Sequence, residues 1–130
     1  MIIRQAKVKD VHSLHHLILS ATKRGKVLKR SEKDIRKCIR QFWIIEISEK
    51  IVACCALEIY NKKLAEMRSL VVDPHYLGQG LGSQLVAQII QIAKKKKIYE
   101  LMAITDRENI FKRLGFSEQL QEQKALFLRP

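Results

Sequence analysis

The sequence predicts an α/β protein built on a mixed, mostly antiparallel central sheet of about six to seven strands flanked by about four helices. Strand-like apolar runs in the middle of the chain are joined by turns of two or three residues, as in antiparallel hairpins. A glycine-containing loop then precedes a long amphipathic helix, which is typical of a crossover to a parallel strand. With 130 residues, 47% of them hydrophobic, residues 1–130 are expected to form a single domain.

The N-terminal part of the chain predicts one strand and two helices. Residues 2–6 read as a short strand, and residues 8–24 carry apolar side chains at helical spacing. Gly25 is expected to end that helix, because glycine readily adopts the left-handed conformation that terminates helices. Ser31 and Asp34 resemble a capping box and predict the start of a second helix.

The remaining elements follow in the order that a mixed sheet requires. Three strands are predicted, with hairpin turns at residues 49–50 and 61–63, over residues 42–48, 51–60 and 64–72. A long helix with an apolar stripe follows over residues 81–95. It is followed by a strand over residues 100–104, a short helix over residues 108–114 and a final pair of strand candidates from residue 116 onward.

The chain is strongly basic, with 25 lysines and arginines against 13 acidic residues and a formal charge of +12. Such a field attracts anionic small molecules or nucleic acid. RNA-binding signatures are absent, and the four lysines at residues 94–97 lie at a predicted helix C-terminus, where the helix dipole favours cations. We therefore interpret the charge mainly as a solvated surface that also attracts anionic substrates, and a nucleic-acid partner is not favoured.

The sequence indicates a cytoplasmic protein without a metal. No secretory signal or membrane-spanning segment is recognised, so a membrane partner is not expected. Cys38, Cys54 and Cys55 lack the spacing of a zinc site, and their odd number argues against a disulfide framework. His12 and His16 have the i, i+4 spacing of metal ligands, but no acidic partner is evident, so we interpret them as exposed histidines.

Three alternating glycines precede the long helix and predict a site for a pyrophosphate group. Gly78, Gly80 and Gly82 allow close approach of the backbone to an anion, and the helix end directs unpaired N–H groups to the same point. The loop is not of the ATP-binding Walker type, since Gly82 is followed by Ser83 and Gln84. The even spacing of the glycines also differs from a dinucleotide fingerprint, so the pattern predicts another nucleotide-like cofactor.

The segment from Val72-Asp73-Pro74 through Gly82 resembles the acetyl-CoA loop of the GNAT acyltransferase superfamily. The resemblance extends to the first strand with its following helix, and to the segment Phe111-Lys112-Arg113-Leu114-Gly115-Phe116, which resembles the closing Tyr/Phe-x-x-Leu-Gly-Phe signature. It implies the GNAT fold, in which the fourth and fifth strands splay apart and hold the pantetheine arm. It also implies acetyl-CoA as co-substrate and direct transfer of its acetyl group to an amine within a ternary complex.

The resemblance also implies which residues bind acetyl-CoA. The backbone of residues 70–72 would pair with the pantetheine amides, with the Val72 N–H polarising the thioester carbonyl, and residues 77–83 would hold the pyrophosphate. The complete expected set is Leu70, Val71, Val72, Leu77, Gly78, Gln79, Gly80, Leu81, Gly82, Ser83, Thr105 and Phe111. Leu77 replaces the usual Arg or Gln, which predicts weaker cofactor binding and not its loss, because most anion contacts come from the main chain.

The resemblance assigns Glu66 as the general base that deprotonates the acceptor amine. Phe111 occupies the position of the usual thiolate-protonating tyrosine, and a phenylalanine ring has no proton to donate. Water, Thr105, Tyr99 or Tyr76 would then supply the proton, or the thiolate would leave without a dedicated acid. Thr105 could instead hydrogen-bond the cofactor arm.

Short segments at residues 22–25, 29–31, 59–60 and 64–70 resemble amino-acid N-acetyltransferases of the N-acetylglutamate synthase type. For a small acceptor such as glutamate, Arg24, Arg30 and Arg68 are candidates to bind its carboxylates, since a guanidinium pairs with two oxygens at once. Alternatively, Arg68 pairs with Glu66 and the contact is only structural. An RNA or protein amine as acceptor, a non-catalytic CoA-binding module and a homodimer also stay open.

Overall fold

The structure, a computed structural model, describes residues 1–23 and 30–130, and within them it forms a five-stranded sheet. The strands are β1 (Ile2–Gln5), β2 (Phe42–Ile47), β3 (Lys50–Ile59), β4 (Leu64–Val72) and β5 (Glu100–Ala103). They lie in the order β1-β2-β3-β4-β5, and every neighbouring pair is antiparallel except β4 and β5, which are parallel. This confirms the mixed, mostly antiparallel sheet that the sequence predicts.

Four α-helices flank the sheet in the part of the chain that the structure describes. They are α1 (Val11–Lys23), α2 (Glu32–Lys37), α3 (Leu81–Lys95) and α4 (Glu108–Arg113). The Ser31 hydroxyl accepts a hydrogen bond from the Asp34 N–H at 3.1 Å, which confirms Ser31 as the N-cap of α2. The predicted end of the first helix at Gly25 lies outside the described residues. Among those described, no helix is long and apolar enough to cross a membrane.

The alternation of side chains along β3 separates the core into two layers. Cys55 and Leu57 belong to the layer beneath α3, while Cys54 and Ala56 belong to the layer beneath α1. Both of these neighbouring cysteines are fully buried, as the alternation predicts for opposite faces of a sheet, and burial raises the pKa of Cys54 to about 12. Burial also raises the pKa of Cys55, so both behave as inert core residues.

The final pair of predicted strands does not form. After residue 116 the structure contains one isolated bridge, between Leu120 and Gln123, so the sheet has five strands where six to seven were expected. The turn inside this bridge places Gln121 and Glu122 at φ +49° and +68°, a conformation that side chains other than glycine adopt at a cost. The polar residues before the turn supply little apolar surface to offset that cost, and the hairpin stops at one pair.

A β-bulge interrupts the pairing of β4 with β3. Cys54 pairs with Val71 and Ala56 with Arg68, so two residues of β4, Ser69 and Leu70, lie opposite the single residue Cys55. Ser69 adopts φ +55° at this point. On the other edge of β4, pairing with β5 ends at the register pair of Met67 and Ala103. The remaining five residues of β4 have no strand partner on the β5 side, which confirms the predicted splay between the fourth and fifth strands.

The first strand is fixed to the helical layer by a buried ion pair. Arg4 donates two hydrogen bonds to the carboxylate of Asp10, at 2.8 and 3.0 Å, and two to Glu46 Oε1 on β2, at 2.8 and 3.2 Å. The Asp10 carboxylate also accepts the Lys7 N–H at 2.7 Å. Hydrogen bonding from Arg4 outweighs burial and lowers the pKa of Asp10 below its usual value.

We expect Asp10→Asn to destabilise the fold by about 2 kcal/mol at pH 7, because it leaves the Arg4 guanidinium without its buried counter-charge. The native pKa of Asp10 lies below its unfolded value, so its contribution is complete above about pH 4 and is lost as the pH falls through the native pKa. Urea unfolding of both proteins at a series of pH values measures this. Glu118→Gln, at an exposed ion pair, is the control and should change stability by less than about 1 kcal/mol.

Candidate active site

The splay leaves one edge of β4 open. The Asp73 N–H donates to the Val52 carbonyl on β3 at 2.7 Å. Because consecutive N–H groups of an extended chain point to opposite sides, the Val72 N–H points away from β3 and into the gap beside β5. Open strand edges bind extended chains that carry amide groups.

The glycine loop leads from this edge to the N-terminus of α3. Gly78 and Gly80 have φ of +80° and +76°, and Gly80 is the N-cap of the helix in the left-handed conformation. The first hydrogen bond of the helix runs from the Gln84 N–H to the Gly80 carbonyl at 3.0 Å. The N–H groups of residues 81–83 therefore have no acceptor within the helix and point outward, where the helix dipole also favours an anion.

The third glycine of the loop has a different function. A Cβ atom on Gly82 would lie 3.3 Å from Ile110 Cδ1 of α4 and 3.7 Å from Val72 Cγ2 of β4. The absence of a side chain at Gly82 therefore favours close packing of α3 against α4 and the end of β4, since a Cβ there would crowd the Ile110 side chain. The first two glycines give the loop its left-handed turns before α3, and the third lies where α3 packs beside the end of β4.

Asp73 fixes the turn between the open edge and the glycine loop. Its carboxylate accepts the His75 N–H at 2.9 Å and lies 3.3 Å from the Lys50 ammonium. Burial alone would raise the pKa of this carboxyl, but the hydrogen bonds from His75 and Lys50 prevail and lower it. The charged carboxylate is thus an integral part of the turn.

On the α1 side of the sheet, β4 and the end of the neighbouring strand carry a polar cluster of four side chains, Glu58, Tyr60, Glu66 and Arg68. Glu58 and Glu66 are register partners across β3 and β4, and the spacing of two residues places Tyr60 and Arg68 on the same face. The Tyr60 hydroxyl donates to Glu66 Oε1 at 2.5 Å, and Arg68 forms an ion pair with Glu58. Glu66 is buried, with 8% of its surface exposed. The contact of Glu66 with Arg68 that the sequence left open is thus replaced by two other contacts.

Arg30 lies over the same face of the sheet. Its guanidinium stands 5.8 Å from the centre of the Phe42 ring and 3.9 Å from Cys38 Sγ. Phe42 pairs with Ala56, which in turn pairs with Arg68, so the three residues form one row across β2, β3 and β4. Two of the predicted substrate-binding arginines therefore lie above one surface, while Arg24 is outside the described residues.

Four other candidate residues for the cofactor differ in their burial. Phe111 is buried and packs edge-to-face on Phe116, with ring centres 5.2 Å apart, so its side chain belongs to the core. The Thr105 hydroxyl is exposed just after β5 and accepts the Arg107 N–H at 2.8 Å. Leu77 is 55% exposed within the glycine loop, and Gln79 is also exposed there.

Sequence reasoning missed Glu58 and Tyr60 as members of the site. The signal was present, because Glu58 and Tyr60 are two residues apart in the predicted strand 51–60 and so share a face, and residues 61–63 were predicted as the turn that folds this strand back onto β4. The Asn61 side chain closes that turn by accepting the N–H groups of Lys63 and Leu64, at 2.8 and 2.9 Å. Counting back from it would have placed Glu58 opposite Glu66.

Within residues 1–23 and 30–130, no group of three or more His, Cys, Asp or Glu side chains is arranged to hold a metal ion. The His12 ring, for which the sequence suggested no acidic partner, lies 3.0 Å from Glu32 on α2. This is one exposed contact between two helices. It offers two ligand types at the surface and no closed coordination shell.

The split sheet, its open strand edge and the adjoining helix end together form an α/β structure whose geometry suits an extended, amide-bearing anionic molecule. Residues 9–116 match the Acetyltransferase (GNAT) family. An uncharacterized N-acetyltransferase of Chlorobaculum tepidum is 30% identical over 89% of this chain and 75% of its own length. An amino-acid acetyltransferase of Mycobacterium tuberculosis is 29% identical over 90% of this chain and 68% of its own.

Among solved structures, the N-acetylglutamate synthase of Neisseria gonorrhoeae complexed with coenzyme A and N-acetyl-glutamate superposes with a TM-score of 0.85 at 28% identity. The match covers 94% of this chain and 29% of the synthase. The chain therefore belongs to the GNAT acetyltransferase family, and its class of enzyme is an N-acetyltransferase. The resemblance inferred from the sequence is confirmed.

We expect Gly80→Ala to weaken coenzyme A binding about tenfold or more, because a Cβ strains the left-handed N-cap and displaces the first N–H groups of α3. Gly115→Ala is the matched control, since Gly115 also has positive φ, at +103°, and open space where a Cβ would lie, but is outside the loop. Both variants should lose about 1 kcal/mol of stability. Calorimetric titration with coenzyme A should separate them, and equal losses of affinity would contradict the assignment of the loop.

Proposed function

We propose that this enzyme transfers the acetyl group of acetyl-CoA to the amine of a small amino acid, such as glutamate, within a ternary complex. The observation that carries the proposal is the position of the buried Glu66 on the same strand whose open edge begins a few residues later. An acyl donor bound along that edge and an amine bound near Glu66 would meet at β4. The similarity to amino-acid acetyltransferases supports an amino acid as acceptor.

The proposed binding site for acetyl-CoA follows the open edge and the glycine loop. The backbone of residues 70–72 would pair with the amides of the pantetheine arm, and the N–H groups of residues 78–83 would bind the pyrophosphate. The orientation of the Val72 N–H supports its function as the donor that polarises the thioester carbonyl. The net charge of +12 would increase the capture rate of this anionic substrate.

Glu66 would act as the general base. Its carboxylate accepts one proton from the ammonium group of the acceptor, and the neutral nitrogen then attacks the thioester carbon. A C–N bond forms, the C–S bond breaks, and its electron pair leaves with the sulfur. The second proton lost by the nitrogen converts the thiolate to the thiol, so one proton in total passes to the solvent through Glu66.

The protonation of the thiolate has fewer candidates in the structure than in the sequence. Tyr99 precedes β5 and donates its N–H to Lys62 at the far end of the sheet from the open edge. Phe111 is in the core. Thr105 follows the end of β5 beside the gap. Tyr76 lies in the turn directly after β4, with its ring 5.9 Å from the Lys50 ammonium. We therefore propose Thr105, Tyr76 or a water molecule as the proton donor.

We place the acceptor near Arg30 and Glu66 on the α1 side of the sheet, and not over Phe42 and Ala56, which are buried in the core. Within the described part of the chain, the Arg30 guanidinium contacts an aromatic ring and a sulfur atom but no carboxylate, so its charge is available for a substrate. Arg68 is already paired with Glu58. We therefore propose Arg30 as the principal carboxylate-binding residue.

Release of the coenzyme A thiol by the purified protein tests this function. Acetyl-CoA should be consumed with glutamate or a related amino acid, and polyamines, tRNA and acceptor-free samples provide the comparison. Glu66→Gln should lower kcat about 100-fold or more, while Glu118→Gln, which removes an exposed carboxylate, should leave it unchanged. Saturable acetyl-CoA binding without thiol release for any acceptor would instead identify a binding module.

Arg30→Ala should raise KM for the amino acid at least about tenfold and leave KM for acetyl-CoA unchanged, since it removes a charge-assisted contact to one substrate only. Arg36→Ala, at an exposed position of α2, is the matched control. An unchanged KM for the amino acid in the Arg30 variant would show that the acceptor does not bind through this guanidinium.

A further inference from the structure

We propose that Tyr60 is a positioning residue for Glu66, and that its hydroxyl fixes one oxygen of the carboxylate so that the other faces the acceptor amine. The inference rests on the proposed function of Glu66 as general base. It assigns a function to a side chain that neither the glycine loop nor the open strand edge uses. One hydrogen bond and the pairing of the charges around it support this assignment.

The geometry of the contact restricts the rotation of the Glu66 carboxylate. The Tyr60 hydroxyl lies 2.5 Å from Oε1 of Glu66, a short distance for an O–H donor and a charged acceptor. This hydrogen bond involves Oε1 alone, and among the described residues no side chain donates to Oε2 of Glu66. With Oε1 held, the carboxylate presents its second oxygen in one orientation, as efficient proton transfer requires.

The neighbouring carboxylate would compete for Tyr60 if its own charge were not compensated. Glu58 Oε2 lies 3.4 Å from the Tyr60 hydroxyl, compared with 2.5 Å for Glu66, and its ion pair with Arg68 satisfies it. The hydrogen bond to Glu58 raises the pKa of Arg68, so this cation persists throughout the working range of pH. Arg68 therefore compensates the charge of one of two facing carboxylates that would otherwise repel each other.

Tyr60 is suited to hold a proton and not to transfer one. Hydrogen bonding to Glu66, supported by burial and by the charges of both glutamates, raises the pKa of Tyr60 to about 12. The phenol thus stays protonated at neutral pH and remains a donor to the carboxylate. Its function would be to orient the base, whereas the proton taken from the amine would go to Glu66.

A double-mutant cycle with Tyr60→Phe and Glu66→Gln tests the inference. Tyr60→Phe removes one oxygen from a residue that is 49% exposed, so the fold should be retained, and thermal melting verifies this. We expect kcat to fall about tenfold with KM for acetyl-CoA unchanged. In the Glu66→Gln background the same change should have no further effect, because the base that Tyr60 orients is absent.

The control is Tyr99→Phe, which removes a hydroxyl from an exposed residue far from the open edge and should leave kcat unchanged. Two results would overturn the inference: an unchanged kcat for Tyr60→Phe, or effects of the two substitutions that multiply in the double variant. If Glu66→Gln itself retained full activity, the proposed base would be wrong. A different outcome would reject the positioning function alone: Glu66→Gln is inactive, as expected of the base, while Tyr60→Phe is fully active.

Discussion

The bulge at Ser69 and Leu70 determines where β4 leaves β5, and the proposed donor site depends on that departure. An extra residue opposite Cys55 increases the local twist of β4, and the parallel pairing with β5 ends at Met67, just before the bulge. Backbone groups of β4 beyond this point stay paired with β3 but have no strand partner on the β5 side. An unpaired edge is costly when water is excluded from it, so an extended ligand with amide groups is the natural occupant.

The bulge also changes which side chains of β4 face each helical layer. Before it, Glu66 and Arg68 point to the α1 side, and a regular strand would place Leu70 and Val72 there as well. The extra residue reverses this parity, so that Val71 packs in the α1 layer and Val72 in the α3 layer. On the α1 side, β4 therefore carries the charged Glu66 and Arg68 near the proposed acceptor site and the apolar Val71 a few positions later.

The sequence was sufficient to predict the features that depend on local pattern. The glycine loop, the start of α3 and the hairpin order of the middle strands follow from turn chemistry and hydrophobic periodicity, and the structure reproduces them. The hairpin between β2 and β3 was predicted one residue late. Ser48 and Glu49 form it with φ of +50° and +64°, which polar residues adopt only because the flanking strands hold them there.

Features that depend on register could not be predicted in the same way. The contact of Tyr60 with Glu66 exists because Glu58 pairs with Glu66 across two strands, and that pairing depends on the Asn61 turn. A single glutamate in a strand gives no indication of its cross-strand partner. The sequence therefore suggested Arg68 as the partner of Glu66 from proximity along the chain. In the structure Glu66 contacts Tyr60 instead, and Arg68 pairs with Glu58.

The two departures from the family pattern, at Leu77 and Phe111, affect different parts of the proposed reaction. Leu77 is exposed in a loop whose proposed anion contacts come from main-chain N–H groups, so its side chain would remove one auxiliary contact and leave the helix end intact. Phe111 is enclosed by the core against Phe116, where a hydroxyl would need a buried partner. Its position is thus stabilised by packing, and in the proposed reaction proton delivery to the thiolate would fall to Thr105, Tyr76 or water. Glu66 on β4 would then remove the proton from the amine, and, where Thr105 is the donor, the thiolate would receive its proton from beyond the end of β5.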